Sequence, residues 1–454
     1  MTDESEARAY HAAVRRLGSR GRFGIRLGLG RTRALLHALG DPQLGFRGAL
    51  VAGTNGKGSV IALAGSALRA GGIRIGETPK PHLVSYRERL LIDGHPIDPV
   101  TFTRLVGEVM PLADAVARRH GEPTEFELLT AMIFRWFADS GVEVALVEVG
   151  LGGRLDATHA WDGGVAVITN VALDHTDRLG ATIPLIAREK AAIIERGDLA
   201  VTGAEQPALT VIRRRARRMG APLREVAPAL LVGSGRDGID VELPGLGRVH
   251  VGLLGRHQAG NVAVADATLD ALAEAGIASV PPEARRRGYA AARWPGRLEV
   301  VRAGERDVVL DGAHNPAGAA ALALALDDLR PHLTGGGTTT PPPMTLVMAA
   351  MADKDVDGII RALLASAALR DARVVCTALA VPRAMPASDL AARWRSIAPE
   401  LAIQAIEPSG RALDTAINDA PGPVVVAGSL YLVGDARGRL VDDRPERDPE
   451  DTSL

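Results

Sequence analysis

Ala49-Leu50-Val51-Ala52-Gly53-Thr54-Asn55-Gly56-Lys57-Gly58-Ser59 decides the fold of this chain. The aliphatic run at its start predicts a buried strand. The alanine-rich segment Val60 to Ala70, closed by Gly71-Gly72, predicts a helix. A glycine-rich loop between strand and helix exposes backbone N–H groups to a phosphate, and the helix N-terminus adds favourable charge. On this reading Lys57 reaches the outer phosphates of a nucleotide and the Ser59 hydroxyl binds Mg²⁺. The spacing departs from the usual G-x-x-x-x-G-K-S/T: two residues separate Gly53 from Gly56, and Gly58 stands between Lys57 and Ser59.

The same grammar recurs outward from this loop. Val144-Ala145-Leu146-Val147-Glu148 leads into Gly150-Leu151-Gly152-Gly153, and Val165-Ala166-Val167-Ile168-Thr169 leads into Asn170. Short aliphatic runs that end in polar turns and pass into helices predict an α/β fold with a mostly parallel sheet. Ligands then bind at the carboxyl ends of the strands. A second series follows Arg293-Trp294-Pro295-Gly296-Arg297, with strands at Asp307–Leu310, Thr345–Met348, Arg373–Cys376 and Val424–Ala427. Pro316 suits the first turn of a helix from Ala317 to Leu329. We therefore expect one domain over residues 1–293, a smaller one over 294–440, and a disordered acidic tail over 441–454. Thr334 to Pro343, rich in Gly, Thr and Pro, reads as a surface loop.

Composition excludes several function classes. A length of 454 residues exceeds one compact core. Net charge is −1 and aromatics make up 3 %, so nothing favours nucleic acid or an anionic membrane as partner. No apolar run approaches the roughly 18–20 residues of a membrane span. The single cysteine, Cys376, excludes an intramolecular disulfide and, with a polar N-terminus unlike a secretory signal, points to the cytoplasm. The run Arg213-Arg214-Arg215-Ala216-Arg217-Arg218 reads as the solvated face of a helix. Lysine is the informative residue: Lys57, Lys80, Lys190 and Lys354 are the only four among 53 Lys and Arg. A lysine offers a compact ammonium and an amine that can be deprotonated and modified, which arginine does not.

Mg²⁺ against phosphates needs oxygen or imidazole ligands from several strand ends. Glu148 and the pair Asp174-His175 stand at such ends and could complete a site begun by Ser59. Gly150 to Gly153 admits a competing reading as a dinucleotide fingerprint, weakened because Arg154-Leu155-Asp156 follows instead of an apolar helix. Lys190 lies on a predicted helix, Ile183 to Arg196, as either an exposed charge or a functional amine. Asp311 and His314, between strand and helix, suit ribose or phosphate contacts or a plain turn cap.

Taken together these stretches resemble the folylpolyglutamate synthase/dihydrofolate synthase family of the Mur ligase superfamily. The resemblance is carried, in order, by VAGTNGKGS (51–59), PHLVSYRERL (81–90), PTEFELLT (123–130), EVGLGGRLDAT (148–158), ITNVALDHTDRLG (168–180), REKAAI (188–193), GRHQAGN (255–261), WPGRLE (294–299), LDGAHNPAG (310–318), ADKD (352–355) and GSLYLVG (428–434). It implies an N-terminal P-loop-type ATPase domain, a C-terminal Rossmann-like domain that takes glutamate, and an ATP-dependent ligase. Such a ligase joins L-glutamate to dihydropteroate or a reduced folate through an acyl phosphate.

Matched position by position, the resemblance implies that Gly53, Thr54, Asn55, Gly56, Lys57, Gly58 and Ser59 hold ATP, with Asn261 at adenine, Arg297 at the phosphates and Asp311 at the ribose. Ser59, Glu148 and His175 would bind a first Mg²⁺, and Lys190, as a carbamate, a second. His314 would lie near the acyl phosphate or glutamate. His82, Thr124, Phe126, Asp156 and Ala157 fall on the folate side, and Arg383 and Ser429 are candidates for glutamate. The family implies a monomer. Two departures concern the folate side: Lys80 stands where the family often has Ser, and His159 where it has Asn. Lys80 is then either an anion contact or an exposed loop charge. The alternatives are a single-activity synthase, a Mur-type ligase for another carboxylate, or a non-catalytic dinucleotide-binding protein.

Overall fold

The computed structural model describes residues 3–21, 28–441 and 448. Its first sheet has eight strands: β1 (Arg47–Ala52), β2 (Ile75–Thr78), β3 (Leu91–Ile92), β4 (His95–Pro96), β5 (Val144–Glu148), β6 (Gly164–Ile168), β7 (Leu199–Thr202) and β8 (Leu223–Glu225). Their order is β4-β3-β2-β5-β1-β6-β7-β8. All pairings are parallel except β2–β3 and β3–β4. Parallel strands are covered on both faces, so they read as unbroken aliphatic runs. The alternation still operates: Ala49 and Val51 enter one core, Leu50 and Ala52 the other.

β1 is the centre of the sheet. Its Val51 is level with Glu148 of β5, and Ala52 with Ile168 of β6. The chain leaves β1 through the helix Lys57–Ala70 toward β2 on one side, and later crosses from β5 to β6 on the other. Strand order reverses at β1, which opens a crevice at its carboxyl end.

A three-stranded antiparallel sheet follows, β9 (Leu230–Gly235), β10 (Gly238–Leu243) and β11 (Gly247–Val251). Sequence reading did not pick it out, although Ile239, Val241 and Leu243 alternate with polar residues. Those side chains pack with Val249 and Val251 into the core shared by the almost wholly buried helix Gln258–Glu274. The third sheet contains β12 (Glu299–Ala303), β13 (Arg306–Leu310), β14 (Thr345–Met348), β15 (Arg373–Cys376), β16 (Ala402–Ala405) and β17 (Val424–Ala427). It is ordered β12-β13-β17-β14-β15-β16 and is parallel apart from β12.

The helix Ala208–Met219 buries Ala208, Ile212 and Ala216 and leaves Arg214, Arg217 and Arg218 exposed. Most of the tail expected to be disordered lies outside the described residues. Within it, Asp448 is buried and accepts from the Tyr10 hydroxyl and the Tyr86 N–H, both at 2.7 Å. Among the described residues no helix is long and apolar enough to cross a membrane.

Candidate functional site

The loop after β1 is held by the end of β6. Thr54 N donates to Asn170 O at 3.0 Å, Asn55 N to Asn170 Oδ1 at 2.9 Å, and Thr169 Oγ1 to Asn55 O at 2.6 Å. Gly56 caps the following helix at φ 80°, a left-handed conformation that costs a residue with a Cβ roughly 1–2 kcal/mol. A Cβ there would also run into the Asn261 amide oxygen, and one on Gly58 into the Trp294 ring. Lys57 Nζ donates to the carbonyls of Gly53 and Thr54 at 3.2 Å each.

This loop opens on a cavity of about 480 Å³ between the first and third sheets. Glu148, 3 % exposed, ends β5 with Oε1 3.8 Å from Lys57 Nζ and Oε2 accepting the Lys80 N–H at 2.9 Å. Burial pushes its carboxyl up, against the pull of Lys57, Lys80 and Arg297. Lys190 is buried on the helix Ile183–Ala191, and its Nζ donates to Gly53 O at 2.8 Å. Burial, then the neighbouring Lys57, lowers its pKa to about 7. Lys80 is lowered to about 8 by burial, with Asp156 and Glu148 opposing. It is not an exposed loop charge.

The third sheet supplies the opposite wall. Asp311, at the end of β13, accepts from Leu298 N and Ala313 N at 2.8 Å each. Burial raises its carboxyl, and Arg297 and His257 counter it. The Arg297 Nη1 is buried without a hydrogen-bond partner. His314 Nδ1 lies 2.8 Å from Gly312 O. Because a carbonyl only accepts, Nδ1 carries the proton and Nε2 keeps its lone pair. Burial, then Lys354, pulls His314 down to about 4, so the ring is neutral at pH 7.

The walls are tied through Asp174, which accepts from Lys354 Nζ at 2.6 Å and Asn315 Nδ2 at 3.0 Å. Asn315 Nδ2 also reaches Asn55 Oδ1 at 3.1 Å and its Oδ1 caps the helix Pro316–Leu329. Burial alone would raise Asp174, but Lys354, His175 and His314 hold it well below the usual carboxylate range. All four lysines thus end at this one cavity or on a residue that lines it.

Every residue of the loop from Gly53 to Ser59 lines the cavity, as do Thr124, Phe126, Glu148, Asp156, Ala157, His175, Lys190, Asn261, Arg297, Asp311 and His314. Three site candidates fall outside the lining. His82 is buried beside it, accepting from Arg89 Nε at 2.8 Å. Ser429 is buried and caps the helix Leu430–Leu440. Arg383 is half exposed and pairs with Asp353 at 3.2 Å. His159 is engaged by Arg154 O at 3.3 Å and Glu195 at 3.4 Å, also outside it. Arg89, His257 and Gln258 line the cavity and were not singled out. Only their place inside the quoted stretches PHLVSYRERL and GRHQAGN pointed to them. A turn and the short 3-10 segment Ala157–Ala160 follow Gly153, so the dinucleotide fingerprint lacks its helix.

Both implied ligands suit these residues. A nucleotide's phosphates match the glycine cradle and the partnerless Arg297 nitrogen. Mg²⁺ matches a Glu148 carboxylate whose pKa burial has raised, with the Ser59 hydroxyl in the same cavity. Among the described residues no three His, Cys, Asp or Glu side chains make a cage by themselves. The ion's remaining ligands would come from phosphate oxygens and water.

Comparison with known proteins agrees with this fold. Residues 51–269 match the Mur ligase middle domain, and residues 297–438 match the dihydrofolate synthetase C-terminal domain. The fold and cavity therefore define a two-domain protein of the Mur ligase type. A dihydrofolate synthase/folylpolyglutamate synthase of Bacillus subtilis is 34 % identical over 95 % of this chain and 99 % of its own length. One from Mycobacterium tuberculosis is 38 % identical over 89 % of this chain and 85 % of its own. The structure of a Mycobacterium tuberculosis folylpolyglutamate synthase complexed with ADP and AMPPCP has a TM-score of 0.85 to this chain at 34 % identity, covering 97 % and 100 % of the two chains. The chain belongs to the folylpolyglutamate synthase/dihydrofolate synthase family.

Proposed function

We propose that this protein is an ATP-dependent ligase that joins the amine of L-glutamate to the carboxylate of dihydropteroate and of reduced folates, releasing ADP and phosphate. The observation that carries it is a single cavity bringing the glycine loop, Glu148 and Lys190 of one domain against Arg297, Asp311 and His314 of the other. The domain boundary is placed at 293/294, ahead of β12. The working unit is a monomer in the cytoplasm.

A carboxylate is a poor acylating agent. One of its oxygens attacks the γ-phosphorus of ATP, ADP leaves, and an acyl phosphate forms. Positive charge must offset the transferred phosphoryl group. Lys57 and Arg297 supply it in this chain, while Asn261 and Asp311 hold adenine and ribose. The glutamate amine then attacks the acyl carbon, phosphate departs, and a proton must leave the nitrogen. His314, expected near the acyl phosphate or the glutamate, would take it on the Nε2 lone pair of its neutral ring. Thr124, Phe126, Asp156 and Ala157 seat the pterin, with His82 beside them, and Arg383 and Ser429 serve glutamate. Mg²⁺ would be held by Ser59, Glu148, His175 and Lys190, and supplies charge neutralisation at the phosphates. Lys190 would act as a carbamate, since only a neutral amine adds CO₂ and burial, with Lys57 beside it, lowers this amine to about 7, so that a substantial fraction is neutral at pH 7. The resemblance implies two ions.

The test is glutamate-dependent ADP release with Mg²⁺-ATP, comparing 7,8-dihydropteroate with tetrahydrofolate. Turnover with both is expected, and turnover with one assigns a single activity. Release with neither removes folate from the reading.

A further inference from the structure

Asp448 is fully buried against the turn Tyr86–Arg89, 362 positions along the chain from Tyr86. The Tyr10 hydroxyl, on the helix Asp3–Gly18, donates to its Oδ1 at 2.7 Å, and the Ser85 hydroxyl donates to the same oxygen at 3.2 Å. The Tyr86 N–H donates to Oδ2 at 2.7 Å, and the Asp448 N–H donates in return to Val84 O at 3.1 Å. A buried carboxylate is tolerable only while such donors stay in place, so the contacts fix the backbone of Val84 to Tyr86.

The turn carries that constraint to the cavity. Glu88 stiffens it from within, accepting the N–H groups of Leu83, Val84 and Ser85 at 2.8, 3.0 and 3.2 Å. The Tyr86 hydroxyl donates to Glu125, and its ring stands 4.7 Å from the His82 ring. The Arg89 guanidinium lies 5.4 Å over the Tyr86 ring, and its Nε donates to His82 Nδ1 at 2.8 Å. Arg89 and Glu125 line the cavity with Thr124 and Phe126. The glycine loop is held separately, by Thr169 and Asn170.

We propose that Asp448 is a positioning residue: by anchoring Ser85 and Tyr86 from behind, it sets His82, Arg89 and Glu125 at the wall where the pteroate or folate substrate binds. The inference rests on the ligase reading for the identity of that substrate.

The test is steady-state kinetics of the full-length chain with 7,8-dihydropteroate or tetrahydrofolate varied, beside AMPPCP affinity by calorimetry and hydrogen exchange over residues 82–90. Asp448→Ala should raise KM for the varied substrate about tenfold and speed exchange at the Tyr86 amide. Its kcat and AMPPCP affinity should stay within about twofold of the wild type. Asp448→Asn should restore KM, because its amide oxygen accepts the Tyr86 N–H and its NH₂ donates to hydroxyls that also accept. Tyr10→Phe, which removes one bond, should raise KM about threefold and decides the matter where Asp448→Ala does not fold. An unmoved KM in Asp448→Ala and Tyr10→Phe overturns the proposal. So does an equal loss of AMPPCP affinity, or an Asp448→Asn no better than Asp448→Ala. A wild type that turns over neither substrate removes the ligase reading and this inference together, whereas wild-type turnover with an unmoved KM in the variants removes the inference alone.

Discussion

Single residues carry the chemistry here, and their types are constrained by distance and burial. Gly56 must take φ 80° beside the Asn261 amide. Gly56→Ala should weaken binding of an ATP analogue about tenfold, the equivalent of the roughly 1–2 kcal/mol of left-handed strain. Circular dichroism should show the fold retained; unchanged affinity in a calorimetric titration would count against the cradle. Lys190 makes a sharper case, because its amine is desolvated and points at the phosphate loop. Lys190→Ala should abolish ligation, with partial rescue by a short carboxylate such as acetate. The neutral fraction of the amine grows as pH rises through about 7. A ¹³C carbamate resonance from labelled bicarbonate should therefore strengthen from pH 6 to 8 and vanish in Lys190→Ala. Near-normal turnover of that variant would sink the carbamate.

At the scale of elements, the site depends on strands whose ends stay level. β1 and β5 are joined in register from Arg47–Val144 to Val51–Glu148, which sets the glycine loop and Glu148 side by side. Leu146, 1 % exposed in the middle of β5, anchors that register in the core facing the helix Lys57–Ala70. Leu146→Ala should cost about 3 kcal/mol of stability through lost transfer energy and a cavity, measurable by urea denaturation. A cost below about 1 kcal/mol, the size of a surface substitution, would contradict the packing described. These strands were legible in the sequence because buried parallel strands are aliphatic throughout and end in glycine or polar residues. The antiparallel strands β9 to β11 were not. Their alternation is short and interrupted by glycines, and its meaning depends on the helix Gln258–Glu274 packing against it from further along the chain.

In the whole molecule the first and third sheets close around the cavity, and ion pairs hold the third sheet to both the first sheet's loops and the second sheet. Lys354 reaches Asp174, and Arg236 of the β9–β10 turn reaches Asp307 of β13 at 2.6 Å. Burial would raise Asp307, but Arg236, Thr334 and Arg302 outweigh it and hold it low, as Lys354 does Asp174. A carboxylate depressed in the folded state contributes stability that is present above its unfolded pKa and lost as pH falls through the folded value. Acid destabilisation should therefore set in below about pH 4, where unfolded aspartates begin to take up protons. Lys354→Met should flatten part of that slope in denaturation curves at about pH 2 to 5. The same variant should lower kcat while leaving the affinity for an ATP analogue nearly unchanged, because Lys354 ties Asp174 to the opposite wall and does not line the nucleotide cradle. Equal loss of both would mean that the cradle itself depends on the clamp.

Much of this protein was determined locally. The Gly53–Ser59 loop, the strand ends at Glu148 and Asp311 and the isolated lysines all express short-range rules, since a turn, a cap or an aliphatic run is set by neighbours in sequence. Only the tertiary structure decided what those residues do to one another. It brought Lys80 onto Glu148 and Lys354 onto Asp174, and it pressed Lys190 against Gly53 O across 137 positions. It left Arg383 outside the cavity beside Asp353. Burial and the sum of nearby charges set those outcomes, and both are properties of chain segments that meet only when the two sheets close on each other.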